Sequence, residues 1–133
     1  MSQLPDHEAQ RVRHWPPRLP RTLIPPATTL WHNLSVSTQR YPDKPAVIFL
    51  GQELTYSDVV SHAERLAGWL HHVGVRHGDR VALFMQNSPQ WITGFHAIVR
   101  LGGVVVPVNP MNQAGELRHM LEDAGVRAVM CSE

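Results

Sequence analysis

The chain has 133 residues, a length typical of a single domain that can bury a core without disulfides or metals. Its 12 basic and 11 acidic residues give a formal net charge of +1, which argues against a nucleic-acid-binding protein. The only cysteine, Cys131, cannot form an internal disulfide and favours a reducing, cytoplasmic compartment. We find no signal-peptide pattern and no run approaching the ~20 apolar residues of a transmembrane helix.

Residues 1–27 are predicted to form an extended arm. This segment contains six prolines and several arginines, and repeated proline prevents both helices and strand ladders. We expect Trp15, Leu19 and Leu23 to hold the arm along the domain surface. Because the arm is basic and carries a tryptophan, a peripheral contact with an anionic membrane is an alternative.

Residues 28–133 are predicted to form an α/β domain that begins with a helix and a hairpin. Thr28 or Thr29 can cap a helix that runs to Tyr41, where Pro42 ends it. A strand follows at residues 46–50, then a turn at Gly51-Gln52 and a second strand at residues 53–56.

The clearest helix is predicted to start at Ser57, because an apolar stripe with a period of 3.6 residues follows it. This stripe consists of Val59, Val60, Ala63, Leu66, Ala67, Leu70 and Val73. Gly74 is in the position of a left-handed helix cap, and residues 80–85 form a buried strand.

A further helix is predicted from the Ser88-Pro89 start signal, and Gly102-Gly103 ends it. Its apolar face comprises Trp91, Ile92, Phe95, Ile98 and Val99. A buried strand at residues 104–106 then stops at Pro107. The last elements are a short helix, with Leu117, Met120, Leu121 and Ala124 inward, and a strand at residues 126–131.

Strands that alternate with amphipathic helices predict βαβ units and a mainly parallel sheet. The last strand reaches residue 131 with no further helix to cover it, so we expect an incomplete part of a larger domain. Its uncovered strands predict self-association through the sheet edge when the chain is alone.

Local sequence patterns point to no catalytic, cofactor-binding or metal-binding residue. The adjacent glycines follow a helix rather than a strand, which is the reverse of a phosphate-binding loop. The histidines, including His62, His71, His72 and His77, form no metal-ligand motif and are expected at the surface. Cys131 is expected in the core, Lys44 in solvent, and Asp79 as an acceptor of backbone N–H groups in its turn.

Five phrases in series resemble the AMP-forming acyl-CoA synthetase superfamily of adenylate-forming ligases. They are Leu54-Thr55-Tyr56-Ser57-Asp58-Val59, the segment GVRHGDRVA at residues 74–82, Gln86-Asn87-Ser88-Pro89, the segment RLGGVVVPVNP at residues 100–110, and Ala114-Gly115-Glu116-Leu117. The segment LPRTLIPPATTLWHNL at residues 19–34 is most similar to bacterial long-chain fatty-acid–CoA ligases. Asp58, Val60 and Gly115 depart from the family pattern.

The resemblance implies the N-terminal portion of an enzyme that forms an acyl-adenylate from a fatty acid and ATP and then transfers the acyl group to CoA. It also implies Mg²⁺, a Ser/Thr/Gly-rich loop that ends in lysine, and a second lysine near the C-terminus of the whole enzyme. Lys44, the only lysine, matches neither position, so the chain alone is expected to be catalytically inactive and to bind none of these groups. In the family this segment is scaffold, although residues 106–110 are expected at the ligand-binding edge of the sheet.

Two alternatives to a fatty-acid–CoA ligase fragment remain at the level of the sequence. One is a free-standing, non-catalytic interaction module. The other is part of an adenylating enzyme for an aryl or amino acid, because the specificity pocket is expected beyond residue 133.

Overall fold

The computed structural model describes residues 15–16, 18–20 and 22–132. Four helices and five strands are present in this part of the chain. In order they are α1 (Leu30–Arg40), β1 (Pro45–Phe49), β2 (Gln52–Thr55), α2 (Tyr56–His72), β3 (Arg80–Phe84), α3 (Pro89–Arg100), β4 (Val104–Val108), α4 (Ala114–Asp123) and β5 (Ala128–Cys131).

The strands form two sheets among these residues. β1 and β2 form an antiparallel hairpin, and the other three strands form a parallel sheet in the order β4-β3-β5. In the parallel sheet Val81 of β3 is aligned with Val105 and with Ala128. The predicted α/β class with a mainly parallel sheet is therefore confirmed.

The core lies between one face of the parallel sheet and the helices α2 and α3. Side chains alternate between the two faces of a strand, so Val81, Leu83 and Met85 point to the same side. They pack with Ala63 and Ala67 of α2 and with Ala97 and Ile98 of α3, among others. Val81, Ala82 and Leu83 are fully buried, as predicted for a strand covered on both faces.

Side-chain caps fix the starts of the helices. Thr29 caps α1 and Ser88 caps α3 with Pro89 in the first turn, both as predicted. Helix α2 begins at Tyr56, one residue before the predicted start at Ser57. Thr55 is its cap, because its hydroxyl accepts the Asp58 N–H at 3.1 Å while the Asp58 carboxylate accepts the Thr55 N–H at 2.9 Å. The Thr55 hydroxyl also lowers the pKa of Asp58.

Glycines end the helices as the sequence predicts. Gly74 and Gly102 have φ values of 98° and 71°, the left-handed conformation in which an L side chain is costly. Gly102 N–H donates to Val99 O at 3.0 Å and Gly103 N–H donates to Ile98 O at 2.9 Å, so both amides satisfy the last turn of α3. The Gly102-Gly103 pair is therefore a helix stop.

The hairpin turn lies one residue earlier than predicted. Leu50 and Gly51, with φ values of 48° and 80°, form the two-residue loop, and Gln52 already pairs with Phe49. Positive φ at both loop residues is typical of the type I′ turn, whose twist matches that of the two strands of a hairpin. A leucine is costly in this conformation, so the sequence pattern gave no reason to place it there.

Strand β4 continues past Pro107, which was wrongly expected to stop it. Val104 N–H donates to Asp79 O at 2.9 Å, so alternate amides along β4 face β3. The nitrogen of Pro107, three residues further along, faces away from β3, so its lack of an N–H removes no hydrogen bond from the ladder. Proline is tolerated in this way at the edge of a sheet, and β4 is an edge strand of the described sheet.

The second face of the parallel sheet is only partly covered. No residue of α4 is fully buried, and Met120, expected inward, is exposed. β5 begins at Ala128 rather than Val126, and Cys131, expected in the core, is exposed. Cys131 shares a face with Val129, which is also exposed, because the short α4 leaves this edge strand partly uncovered.

The described part of the arm does not pack as predicted. Leu19 and Leu23 are 56% and 87% exposed, and the indole of Trp15 donates to Leu19 O at 3.1 Å within the arm itself. Residues 1–14 of the predicted arm lie outside the described residues. Lys44 is exposed as predicted, with its ammonium 4.2 Å from the ring centroid of Tyr41.

Replacement of Gly102 by alanine is expected to destabilise the fold. The left-handed backbone costs an L residue about 1–2 kcal/mol, and the new Cβ would lie 2.4 Å from His77 Cδ2. Gly115→Ala is the matched control, because that glycine is in a helix with open space around it and should gain about 0.5–1 kcal/mol. Urea denaturation followed by circular dichroism measures both, and equal midpoints for the two variants would contradict this account.

A pH dependence follows from His96 on α3. Its Nδ1 is buried without a hydrogen-bond partner in the described chain, and desolvation lowers the pKa of the imidazole from its ordinary 6.5. The folded state thus takes up the proton less readily than the unfolded state. We therefore expect stability to be full above pH 6.5 and to fall as the pH drops below it. The His96→Phe variant should lose this dependence in thermal melts between pH 7.5 and 5.5, and an unchanged slope would exclude His96 as its source.

Candidate functional site

The carboxyl ends of β3 and β4 open into a cleft of about 500 Å³. The two strands run parallel with Phe84 aligned to Val108, so the loops that follow them leave the sheet side by side. Ligands in open α/β sheets bind outside this edge of the strands. The lining includes Gln86, Asn87, Trp91, Pro107, Asn109 and Met111.

One wall of the cleft comes from the loop between β3 and α3. Gln86 and Asn87 lie in this loop and are exposed, and Trp91 follows in the first turn of α3. Ser88 fixes the turn, because its hydroxyl accepts the Trp91 N–H at 3.3 Å. The indole stacks on Phe95 with ring centroids 5.5 Å apart, which holds it against the cleft.

The opposite wall is the loop after β4. The Asn109 side-chain oxygen accepts the Met111 N–H at 3.0 Å, and the Asn109 carbonyl accepts the Asn112 N–H at 3.0 Å. Such an Asx turn lets the chain reverse before α4 begins. Residues 106–110 therefore lie at the carboxyl edge of the sheet, as predicted.

The lining is neutral. Every side chain that lines this cleft is apolar or a carboxamide. Carboxamides donate and accept hydrogen bonds without charge, and Trp91 offers a flat apolar surface. Such a wall can bind the uncharged part of a ligand. The lining side chains include none of the cations that stabilise phosphoryl oxygens and none of the carboxylates that hold Mg²⁺.

The remaining candidates from the sequence do not gather at this cleft. His71, His72 and His77 are exposed, and His77 lies near Gly102 at the opposite edge of the sheet. In the ranges that the structure describes, no three His, Cys, Asp or Glu side chains are placed to hold a metal ion. Asp79 accepts the Arg76 N–H at 2.7 Å, which confirms its predicted role in the turn.

A second cleft of about 440 Å³ brings Cys131 and His62 to one lining with Met85 and Met130. Sequence reasoning placed these residues on separate elements and did not predict their proximity. It also missed Gln86, Asn87 and Trp91, although their position just after a predicted parallel strand was a usable signal.

Comparison with known proteins identifies the family. Residues 34–133 match the family model described as AMP-binding enzyme. The long-chain-fatty-acid–CoA ligase of Bacillus subtilis (strain 168) is 37% identical over 119 residues, which are 90% of this chain and 21% of that protein. The chain thus spans about a fifth of the length of this relative.

Solved structures agree on the fold. The N-terminal subdomain of Klebsiella oxytoca NpsA in complex with 3-hydroxyanthranilyl-AMSN superposes with a TM-score of 0.76 at 28% identity, covering 79% of this chain and 27% of that one. The anthranilate CoA ligase AuaEII in complex with anthranoyl-AMP superposes with a TM-score of 0.76 at 27% identity, covering 81% of this chain and 21% of that one.

The family model and these matches define the class of protein to which the chain belongs. The chain belongs to the AMP-binding enzyme family and corresponds to part of its N-terminal region. The family-level resemblance seen in the sequence is confirmed.

The loop after β4 should depend on Asn109. In Asn109→Ala the Met111 amide loses its side-chain acceptor, and we expect its hydrogen exchange to accelerate about fivefold, since about 1 kcal/mol of a hydrogen bond is lost. Amide exchange measured by NMR tests this. Asn87→Ala, in the facing loop, is the control and should leave Met111 unchanged. Unaltered exchange in Asn109→Ala would show that the Asx turn does not hold the loop.

Proposed function

We propose that this chain is the N-terminal scaffold of a long-chain fatty-acid–CoA ligase. The complete enzyme would activate a fatty acid with ATP to an acyl-adenylate, release pyrophosphate, and transfer the acyl group to CoA. The observation that carries the proposal is the similarity to the Bacillus subtilis ligase across nine-tenths of the chain. The parallel sheet with a cleft at its carboxyl edge is compatible with it.

In this proposal the chain supports the sheet and lines the cleft at its carboxyl edge, and it supplies no catalytic residue. The neutral cleft offers no acid, base, nucleophile or phosphate-binding cation. The groups that stabilise charge on ATP and Mg²⁺ would come from the rest of the enzyme.

The same proposal places the enzyme in the cytoplasm, which the single cysteine favours. None of the described helices is long and apolar enough to cross a bilayer.

A second candidate substrate class is an aryl acid. The NpsA subdomain and AuaEII structures carry anthranilyl-type ligands, and both superpose on this chain with a TM-score of 0.76. The two substrate classes differ in the acyl pocket, which we expect beyond residue 133, so activity of the complete enzyme is the property that separates them.

ATP–pyrophosphate exchange separates these proposals. We expect the 133-residue chain alone to give no exchange with palmitate or anthranilate above a heat-inactivated control. The complete reading frame should give exchange with palmitate that exceeds exchange with anthranilate. The reverse order would favour the aryl class, and exchange by the chain alone would contradict its non-catalytic role.

A further inference from the structure

The end of the β1–β2 hairpin is apolar and exposed. Ile48, Phe49 and Leu50 follow one another in the sequence and are 68%, 39% and 89% exposed. We name these three residues the hairpin tip. Single exposed apolar residues are common on proteins, but a contiguous apolar patch marks an interaction surface.

The hairpin is joined to the domain at its base. The Tyr56 N–H donates to Lys44 O at 3.1 Å. The Ser57 N–H donates to Pro42 O, also at 3.1 Å, so the strand ends are tied to the start of α2. Burial then decreases from Leu54 near the base towards the tip. A two-stranded hairpin is only marginally stable in water, so cover at the tip would stabilise it.

Leu50 is costly in the conformation that the structure gives it. Its φ of 48° lies in the left-handed region, which is a steric outlier for a bulky residue. Because the side chain is 89% exposed, burial in the described part of the chain does not offset this cost. Asparagine before Gly51 would form the same turn at a lower cost. A strained backbone at an exposed leucine therefore favours a contact that lies outside the described residues.

A groove of about 420 Å³ lies between the hairpin and the start of α3. Val47, Ile48 and Phe49 line one side, and Pro89, Trp91 and Ile92 line the other. Every described residue that lines the groove is uncharged. A charged group would lose its hydration there without gaining a partner, so the groove suits an apolar occupant.

In the proposed ligase, the polypeptide that follows β5 would start beside this hairpin. Cys131 is the last residue of β5, and it lines a cleft of about 440 Å³ together with Gln52 and Leu54 of β2. The chain spans 21% of the Bacillus subtilis ligase, so a long polypeptide would be available to cover the tip. A tethered segment also has a high effective concentration, which favours it over a second copy of the chain.

We propose that an apolar segment of the ligase that follows β5 docks on the hairpin tip and fills the groove against α3. This inference rests on the proposed function, because it requires the remainder of the ligase. Asn87 and Trp91 line both this groove and the cleft at the carboxyl edge of the sheet. The docked segment would therefore also support one wall of that cleft.

Hydrogen exchange of the hairpin amides tests the proposal in the 133-residue chain and in the complete ligase. Leu50→Asn relieves the turn and removes the apolar contact. In the 133-residue chain only the relief acts, and exchange across β1 and β2 should slow about fivefold. In the complete ligase the loss of leucine burial outweighs the relief, and exchange should accelerate about fivefold.

Leu50→Met is the matched control, because it keeps both the apolar side chain and the strained backbone. Its exchange should stay closer to wild type than that of Leu50→Asn in both proteins. Slower exchange of Leu50→Asn in both proteins would show that the tip is uncovered in the ligase. Faster exchange in both would show that Leu50 packs within this chain, and either result overturns the proposal.

A photo-crosslinking benzoylphenylalanine in place of Leu50 identifies the partner in the complete ligase. Mass spectrometry should find a link to a peptide that follows residue 133, in a product with the mass of one molecule. A product of doubled mass would assign the tip to a second copy. Links confined to residues 22–132 would assign it to the described domain, and both outcomes contradict the proposal.

ATP–pyrophosphate exchange with palmitate by the same complete enzyme tests the proposed function separately. Exchange with palmitate but no cross-link to the later segment would overturn the docking alone. The expected cross-link without such exchange would overturn the proposed substrate class alone.

Discussion

The packing of α2 and α3 on one face of β3 is the constraint on which the rest of the structure depends. Small residues make it feasible: Ala63 and Ala67 on α2 and Gly94 and Ala97 on α3 are buried in it. A Cβ on Gly94 would lie 3.1 Å from Leu83 Cδ2, so the helix already touches the strand. Because this packing fixes β3, it also fixes the direction of the two loops that leave the carboxyl edge of the sheet.

The two edges of the sheet have different chemistry as a result. At the carboxyl edge, carboxamides, prolines and Trp91 make a neutral wall suited to the uncharged part of a ligand. At the other edge, α2 ends among arginines and exposed apolar side chains.

Sequence patterns predicted the elements better than their surroundings. Periodicity located the helices, and Thr29, Ser88 and Gly102 marked their ends, because these signals are local. The start of α2 was placed one residue late because the apolar stripe does not mark the first turn, which is fixed by the reciprocal hydrogen bonds between Thr55 and Asp58. Cys131 and Met120 were misplaced because their burial depends on how much of the sheet α4 covers. The cleft could not be predicted, because it depends on the alignment of β3 with β4, which no local sequence pattern encodes.

The intact mass of the protein in its native source tests the central claim that this chain is the scaffold portion of a larger ligase. An antibody raised against residues 34–133 would capture the protein, and mass spectrometry would weigh it. The claim predicts a product several times heavier than 15.0 kDa, because the chain spans 21% of its Bacillus subtilis relative. A product of 15.0 kDa that accumulates without any heavier form would contradict the claim and favour a free-standing interaction module.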